Sequence, residues 1–169
     1  MAVKLNSFKL PNSVILKMRD NIDQSRLKSV EFGFNLCEEN GELHDENQCS
    51  GTECSIDILK GCSKGKHAGL FHSHPHMSSE PSIQDILNTY YVGIGCIGST
   101  EEDVIKCYVR NDKNYTQEGL MTITAGLIRY ESPLLLSQYS REDITKYKKW
   151  LKARSDLKKS YLHTVDVRI

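Results

Sequence analysis

Two histidines and an aspartate stand at a spacing that suits a metal ion. His72 and His74 lie two residues apart in LFHSHPHM, and Asp85 follows shortly after them. On a strand, residues i and i+2 point to the same side, so both imidazoles can approach one ion. Asp85 falls in the first turn of a predicted helix that opens at Ser82, from which its carboxylate can reach the same point. Two imidazoles and one carboxylate leave a fourth tetrahedral position for water, which is typical of a catalytic zinc site.

A zinc ion held in this way would lower the pKa of its water ligand to about 7 and polarise a carbonyl group, so the spacing predicts hydrolysis. Each residue also has an ordinary interpretation. Asp85 can be an acid of the first helical turn that only interacts favourably with the helix dipole. Ser82 can be a simple N-cap in a capping box with Asp85. His76 is expected to be a solvated loop residue. The same ligand set also forms the facial triad of non-haem Fe(II) oxygenases, which is an alternative interpretation.

The motif around these residues resembles that of the JAMM (MPN+) metalloproteases. Their pattern is H-[S/T]-H-P, a gap of seven residues after the second histidine, and S-x-x-D. This chain has HSHP at 72–75, seven residues between His74 and Ser82, and two more before Asp85. The resemblance covers about residues 5–135, and it implies a zinc ion as the cofactor.

The resemblance also assigns a role to each residue of the motif. His72, His74 and Asp85 would hold the zinc. Glu31, in VEFGFNL, would accept a proton from the attacking water and pass it to the leaving amine. Ser82 would hydrogen-bond the oxyanion of the intermediate. Residue spacing alone does not distinguish Glu31 from other nearby acids: Glu38, Glu39, Glu42 and Glu53.

The family resemblance extends to the substrate. Its members commonly cleave isopeptide or peptide bonds at the C-terminal tail of ubiquitin or ubiquitin-like proteins, so conjugates of these proteins are the implied partners. Relatives that act on small conjugates or sulfur-carrier proteins, and non-catalytic MPN scaffolds, are alternatives. The polar segment 38–66 departs from the family. We expect segment 50–60, which includes CSIDIL, to hold an extended tail by strand addition together with the Met77–Glu80 loop.

Hydrophobic periodicity predicts the elements that position these residues. Helices are expected at 11–27, from Ser82 onward, and in a C-terminal segment capped by Ser140. Strands are expected at 29–36, 67–74, 91–98, 104–110 and 119–130. The fold class is therefore α/β: a mixed, curved sheet flanked by helices. The resemblance makes it a JAMM/MPN-type domain at 1–135, with a C-terminal helical extension at 136–169 packed on or following the same domain.

Composition narrows the class of protein. The chain has 169 residues, of which 38% are hydrophobic and 26% charged, as expected for one globular domain. Its 22 basic and 22 acidic side chains cancel, which disfavours nucleic-acid binding. No run of apolar residues is long enough to span a membrane, and the N-terminus lacks the apolar core of a signal peptide. We therefore expect a cytoplasmic location.

The six cysteines allow more than one interpretation. Three lie in apolar runs and are expected in the core: Cys37, Cys96 and Cys107. Three lie in the polar segment: Cys49, Cys54 and Cys62. These last three could hold a second metal with His44 or His67, although their spacing is not that of a zinc knuckle. Disulfides are not the expectation in the cytosol, where thiols are kept reduced.

Overall fold

The helices and strands surround one mixed sheet. The computed structural model describes residues 2–51, 54, 60–111, 115–131 and 141–169, and only the backbone of 141–143. The strands are β1 (Val3–Leu5), β2 (Phe8–Leu10), β3 (Phe32–Glu39), β4 (Glu42–Ser50), β5 (Lys66–His74), β6 (Ile94–Ser99), β7 (Val104–Arg110) and β8 (Leu162–Arg168). The helices are α1 (Asn12–Lys28), α2 (Ile83–Val92), α3 (Gln117–Gly126) and α4 (Arg141–Tyr161), and a π-helical turn, Leu127–Glu131, follows α3. The α/β class is confirmed.

The strand that carries the two histidines is central in the sheet. The strand order is β1-β2-β4-β3-β5-β6-β7-β8, so β5 has a neighbour on each side. It runs antiparallel to β3, with Gly33 opposite His72, and parallel to β6, with Ile97 opposite His72. Because both ladders extend to this end of β5, the backbone beneath the histidines is held from two sides.

Helix α1 covers one face of the sheet, as the periodicity predicts. Pro11 occupies the N-cap, and Ser29 ends the helix in the left-handed conformation. The predicted apolar stripe is buried: Val14, Ile15, Met18 and Ile22. It packs with strand residues such as Phe34 and Phe71 in the main core cluster. The prediction of this helix is confirmed.

Strand β3 begins later than predicted and does not alternate cleanly. Its first residue is Phe32, so Glu31 precedes the strand, and Val30 is 38% exposed. Gly33 and Asn35, predicted to face away from the core, are buried as well. Asn35 donates a hydrogen bond to the carbonyl oxygen of Gly61 at 3.2 Å, which shows that the segment before β5 covers this face. A strand covered on both faces has no solvent side to display.

The polar segment 38–66 contains a nine-residue strand, β4, that the sequence does not reveal. It forms a hairpin with β3 through Asn40 and Gly41, which have φ values of 53° and 80°. Asn-Gly with positive φ at both positions suits a tight hairpin turn, because glycine carries no Cβ and asparagine tolerates this region. Glu46 on β4 accepts hydrogen bonds from the backbone N–H and the hydroxyl of Ser63 and from the N–H of Lys64, which, with His44, hold the pKa of its carboxyl at about 2.

The strand predicted at 119–130 is wrong, because this segment is helical. Thr116 is the N-cap of α3, and its hydroxyl accepts the N–H of Gly119 at 3.0 Å. The helix then runs into the π-helical turn that ends at Glu131. The β-branched residues Ile123 and Thr124 favour a strand by propensity, but the N-cap and the packing of one helical face against α2 decide the outcome.

The C-terminal helix is confirmed, although its predicted cap, Ser140, lies outside the described residues. A further strand, β8, follows it directly and pairs antiparallel with β7 from Val104↔Arg168 to Arg110↔Leu162. The end of the chain therefore supplies the last strand of the sheet. Among the helices of the described ranges, none combines the length and the apolar composition needed to cross a bilayer.

All six cysteines are joined in pairs. The disulfides are Cys37–Cys62, Cys49–Cys54 and Cys96–Cys107. Cys37–Cys62 joins an apolar run to the polar segment over 25 positions, and Cys49–Cys54 lies within the polar segment, with its cysteines 5 positions apart. Cys96–Cys107 joins direct partners across β6 and β7. The expectation of unpaired thiols is wrong for this structure, because the strand register that brings the sulfurs together is not visible in their spacing.

Removing a buried side chain of α1 should destabilise the protein far more than removing an exposed one. Met18 is fully buried, whereas Leu16 on the same helix is 54% exposed. We expect Met18→Ala to lower the free energy of unfolding by about 2–5 kcal/mol, since it leaves a cavity, and Leu16→Ala by at most about 0.5 kcal/mol. Urea denaturation measures both values. Similar losses for the two variants would contradict the placement of α1.

Candidate metal centre

The structure brings His72, His74 and Asp85 together. The two Nε2 atoms lie 3.0 Å apart. Asp85 places Oδ1 3.4 Å from Nε2 of His72 and Oδ2 3.7 Å from Nε2 of His74. Ligand atoms about 2.0–2.1 Å from a tetrahedral zinc lie roughly 3.3 Å from one another. The two imidazole nitrogens are slightly closer than that value, and the nearest Asp85 oxygen, a different one for each histidine, is slightly farther. The donor set therefore has the chemistry of a zinc site and is close to one in size.

The orientation of His74 leaves one nitrogen available to a metal. Its Nδ1 lies 2.8 Å from the carbonyl oxygen of Ser78. A carbonyl oxygen can only accept, so Nδ1 carries the proton, and Nε2 of the neutral ring offers a lone pair. Metal-binding histidines commonly donate their second N–H in this way, which fixes the ring and its tautomer. His72 and His74 are 8% and 5% exposed, so little solvent competes for the site.

Asp85 is held in place by the first turn of its own helix. Ser82 is the N-cap of α2, and its hydroxyl accepts the N–H of Asp85 at 3.0 Å. The Asp85 carboxylate accepts the N–H of Ser82 through Oδ2 at 2.8 Å. The two bonds form a capping box, as the structural interpretation of the sequence expects. One carboxylate therefore caps the helix and faces the two imidazoles.

The histidines and Asp85 stabilise each other's charged forms. Burial opposes the charged form of His72, but the attraction and hydrogen bond of Asp85, with a contribution from Glu31, outweigh it and raise the pKa of the imidazole. Burial also opposes the charge on Asp85, yet His72 and His74 keep the pKa of its carboxyl well below the usual range. Asp85 is therefore a carboxylate at neutral pH, the form in which it can bind a metal. A metal ion would replace the proton on His72.

Glu31 lies beside this cluster and is exposed. Its carbonyl oxygen accepts the N–H of Gly51 at 2.7 Å, which fixes its backbone. It precedes β3 by one residue, at the end of that strand where Gly33 pairs with His72. Its influence on the pKa of His72 agrees with this position.

The other acids considered from the sequence lie elsewhere. Glu38 and Glu39 are at the far end of β3, and Glu38 is roughly 23 Å along the strand direction from Glu31 at about 3.3 Å per residue. Glu42 begins β4 at the same far end. Glu53 lies outside the described residues. Among the described acids weighed from the sequence, only Glu31 is close to the three ligands.

Ser73 has a positioning role that the sequence analysis missed. Its side chain points to the opposite side of β5 from the two histidines and is fully buried. Its hydroxyl accepts the N–H of Phe32 at 2.9 Å and lies 3.3 Å from the carbonyl oxygen of the same residue. These contacts tie the start of β3, and so Glu31, to the centre of the HSH sequence. The signal was the hydroxyl residue between the two histidines.

No protein-family model and no curated protein sequence matches this chain. The similarity to the JAMM metalloproteases therefore rests on the motif alone, and the contacts described here show only that the motif residues meet. A function for the chain has to be argued from the chemistry of these side chains.

A single ligand change should remove the metal. We expect His74→Ala to lose one zinc ion per chain relative to the wild type, because two remaining ligands hold zinc poorly. His76→Ala is the matched control, since this neighbouring side chain is 63% exposed and contacts Ser29 and Glu101 instead of the cluster. Metal analysis of the purified proteins gives both values. Equal zinc in His74→Ala and wild type would disprove the assignment.

Proposed function

We propose that this protein is a zinc-dependent hydrolase that cleaves isopeptide or peptide bonds at the C-terminal tail of ubiquitin or a ubiquitin-like modifier. The observation that carries the proposal is the convergence of His72, His74 and Asp85, in the JAMM order and at separations that fit zinc. Three protein ligands leave one position open, which suits catalysis rather than a structural role.

The residues around the candidate metal site can take separate roles in hydrolysis: proton transfer and positioning of the ligands. When bound, zinc would supply a polarised carbonyl and a water of lowered pKa. Glu31 is the base: its exposed carboxylate accepts the proton of the attacking water and then donates it to the leaving amine. His74, fixed by the Ser78 carbonyl, and Asp85, fixed by the capping box, keep the ligand atoms in place during this transfer.

Ser82 can act on the substrate while it caps the helix. Its oxygen accepts the N–H of Asp85, which uses a lone pair, and a hydroxyl that accepts in this way still has its hydrogen to donate. That hydrogen can bond the oxyanion that forms when water attacks the carbonyl. A single donor of this kind contributes about 3–4 kcal/mol to transition-state stabilisation in comparable sites.

The substrate class rests on the family resemblance and on the shape of the surroundings. A scissile bond can reach ligands at the end of β5 only if the chain around it is extended and thin, as a flexible tail is. Met77, in the loop that follows the histidines, is 61% exposed and offers an apolar contact to such a tail. The strand-addition segment predicted at 50–60 is described only at residues 50, 51, 54 and 60, so its role stays a prediction.

Neutralising the base should abolish hydrolysis without emptying the metal site. We expect Glu31→Gln to retain zinc and the fold but to lower kcat about 100-fold or more, because an amide cannot accept the proton. Glu39→Gln is the control and should keep full activity, because Glu39 is an exposed acid at the far end of β3, the strand that follows Glu31. If Glu31→Gln hydrolyses at the wild-type rate, another group is the base.

The substrate class can be tested directly. The zinc-loaded protein should be offered a panel of ubiquitin and ubiquitin-like conjugates, with cleavage followed by gel electrophoresis and mass spectrometry. We expect cleavage at the end of the modifier's tail, abolished by a chelator and restored by zinc. Turnover that requires Fe(II), oxygen and 2-oxoglutarate would instead support the oxygenase alternative. No cleavage of any conjugate by the zinc-loaded protein would contradict the proposed substrate.

A further inference from the structure

A second group of metal-ligand side chains lies at the far end of the β3–β4 hairpin, away from the site described above. It combines cysteine sulfur, imidazole and carboxylate groups from three parts of the chain, and we refer to it as the hairpin cluster. Its members are Cys37 on β3 and His44 and Glu46 on β4, together with Cys62 in the segment before β5, which is included because a disulfide joins it to Cys37.

The strand register explains why these residues meet. Cys37 and His44 are direct partners across the hairpin. Glu46 is two residues beyond His44, and Nε2 of His44 lies 3.0 Å from Oε1 of Glu46. One ligand atom from each of these three residues lies within 4.8 Å of the other two. Cys62 is not within that distance of all three, but its sulfur is bonded to that of Cys37, with a Cα–Cα distance of 5.9 Å, so reduction would leave a second thiol next to the group.

The segment that carries Cys62 is already held in position. Glu46 accepts the N–H of Ser63 at 2.6 Å and the N–H of Lys64 at 3.0 Å. Asn47 donates to the carbonyl oxygen of Gly61 at 2.6 Å. The residues on both sides of Cys62 are therefore anchored to β4. These contacts hold the backbone around Cys62 beside β4, so the Cys62 sulfur would stay near the hairpin after the disulfide is reduced.

The hairpin cluster is partly open to solvent. Cys37 is fully buried, whereas the side chains of His44 and Glu46 are 35% and 14% exposed. His44 also lines an open hollow at the surface, so at least this ligand can be reached from solvent. His67, the other histidine considered from the sequence, directs its Nε2 to the carbonyl oxygen of Gly69 at 2.9 Å and is not a member of the group.

We propose that the hairpin cluster is a second, structural metal site, which binds a zinc-like divalent cation when its two cysteines are reduced. Two thiolates and an imidazole are soft ligands that favour zinc over magnesium or calcium. With the carboxylate as the fourth ligand, the coordination sphere is complete, which is typical of structural zinc sites. This inference does not depend on the proposed hydrolase activity.

The disulfide between Cys37 and Cys62 is the alternative state of the same four residues. In that state only His44 and Glu46 retain ligand atoms suited to zinc. A dithiol such as dithiothreitol supplies two electrons, breaks the S–S bond and becomes a cyclic disulfide, leaving two protein thiols. Both thiols lose their protons to solvent as they bind the metal. In the oxidised state the His44–Glu46 pair is simply a hydrogen-bonded contact.

Metal binding by the full chain in its two redox states tests the proposal. Reduced protein, freed of reductant without oxygen, and air-oxidised protein are each titrated with zinc and, separately, with cobalt(II). Cobalt gives an intense near-ultraviolet charge-transfer absorption only when thiolate is a ligand, which separates the hairpin cluster from the site of His72, His74 and Asp85. We expect two zinc ions per reduced chain, one per oxidised chain, and the thiolate absorption only in reduced protein.

Matched variants identify the ligands. Cys62→Ser and His44→Gln should each remove one zinc ion from the reduced chain, and Cys62→Ser should weaken the thiolate absorption strongly. Cys49→Ser, which removes a thiol of the same polar segment outside the hairpin cluster, should keep both. His74→Ala should keep the thiolate absorption, so that loss of the first site is distinguished from loss of the second.

The proposal fails if reduced wild type binds a single zinc ion and shows no thiolate absorption with cobalt. It also fails if that absorption is unchanged in Cys62→Ser, or if Cys49→Ser abolishes it, since the thiolate would then lie elsewhere. Circular dichroism shows whether the variants fold. If Cys62→Ser does not fold, zinc binding by His74→Ala decides instead. One zinc ion in the reduced form and none in the oxidised form supports the hairpin cluster, and equal zinc in the two forms overturns it.

Discussion

The candidate site depends on the capping box between Ser82 and Asp85. The Asp85 carboxylate must accept the N–H of Ser82 at 2.8 Å and at the same time lie 3.4 Å from His72, which belongs to a different element, strand β5. A carboxylate that is free at the surface would sample many rotamers. One of the three ligands would then be out of position most of the time. Using the backbone of its own helix to fix Asp85 removes that freedom before any ion binds. The site also depends on the start of this helix staying beside the end of β5.

Much of that support comes from the C-terminal half of the chain. Glu131, at the end of the π-helical turn, is buried and accepts the N–H groups of Ile83 and Gln84. These are the first residues of α2, whose N–H groups have no partner within the helix. Burial, with the nearby charge of Asp85, raises the pKa of the Glu131 carboxyl, although the two N–H groups oppose this. Two carboxyl groups thus meet at one helix start, each with its own donors.

The sequence reveals the site more readily than the sheet around it. The ligands can be predicted because residue spacing on a strand or helix determines which side chains point the same way. Helix α1 can be predicted because the apolar residues of its buried face recur at helical spacing. Strand β4 is hidden since it carries polar side chains that bind the segment before β5, as Glu46 does. Helix α3 is hidden because Ile123 and Thr124 favour a strand by propensity. Contacts across the sheet, such as that between Ser73 and Phe32, depend on a register that no local pattern encodes.

Strand β5 runs past both candidate groups of metal ligands, which lie near its two ends. His67 is paired with Cys37 at one end, and His72 is five residues further along, roughly 16 Å at about 3.3 Å per residue. Effects of substitutions more than about 7–10 Å apart usually add without coupling. The hairpin cluster can therefore change its redox or metal state without moving His72 or His74 directly. Its influence would instead fall on the segment around Cys62, which leads from the undescribed residues 55–59 into the strand that carries both histidines.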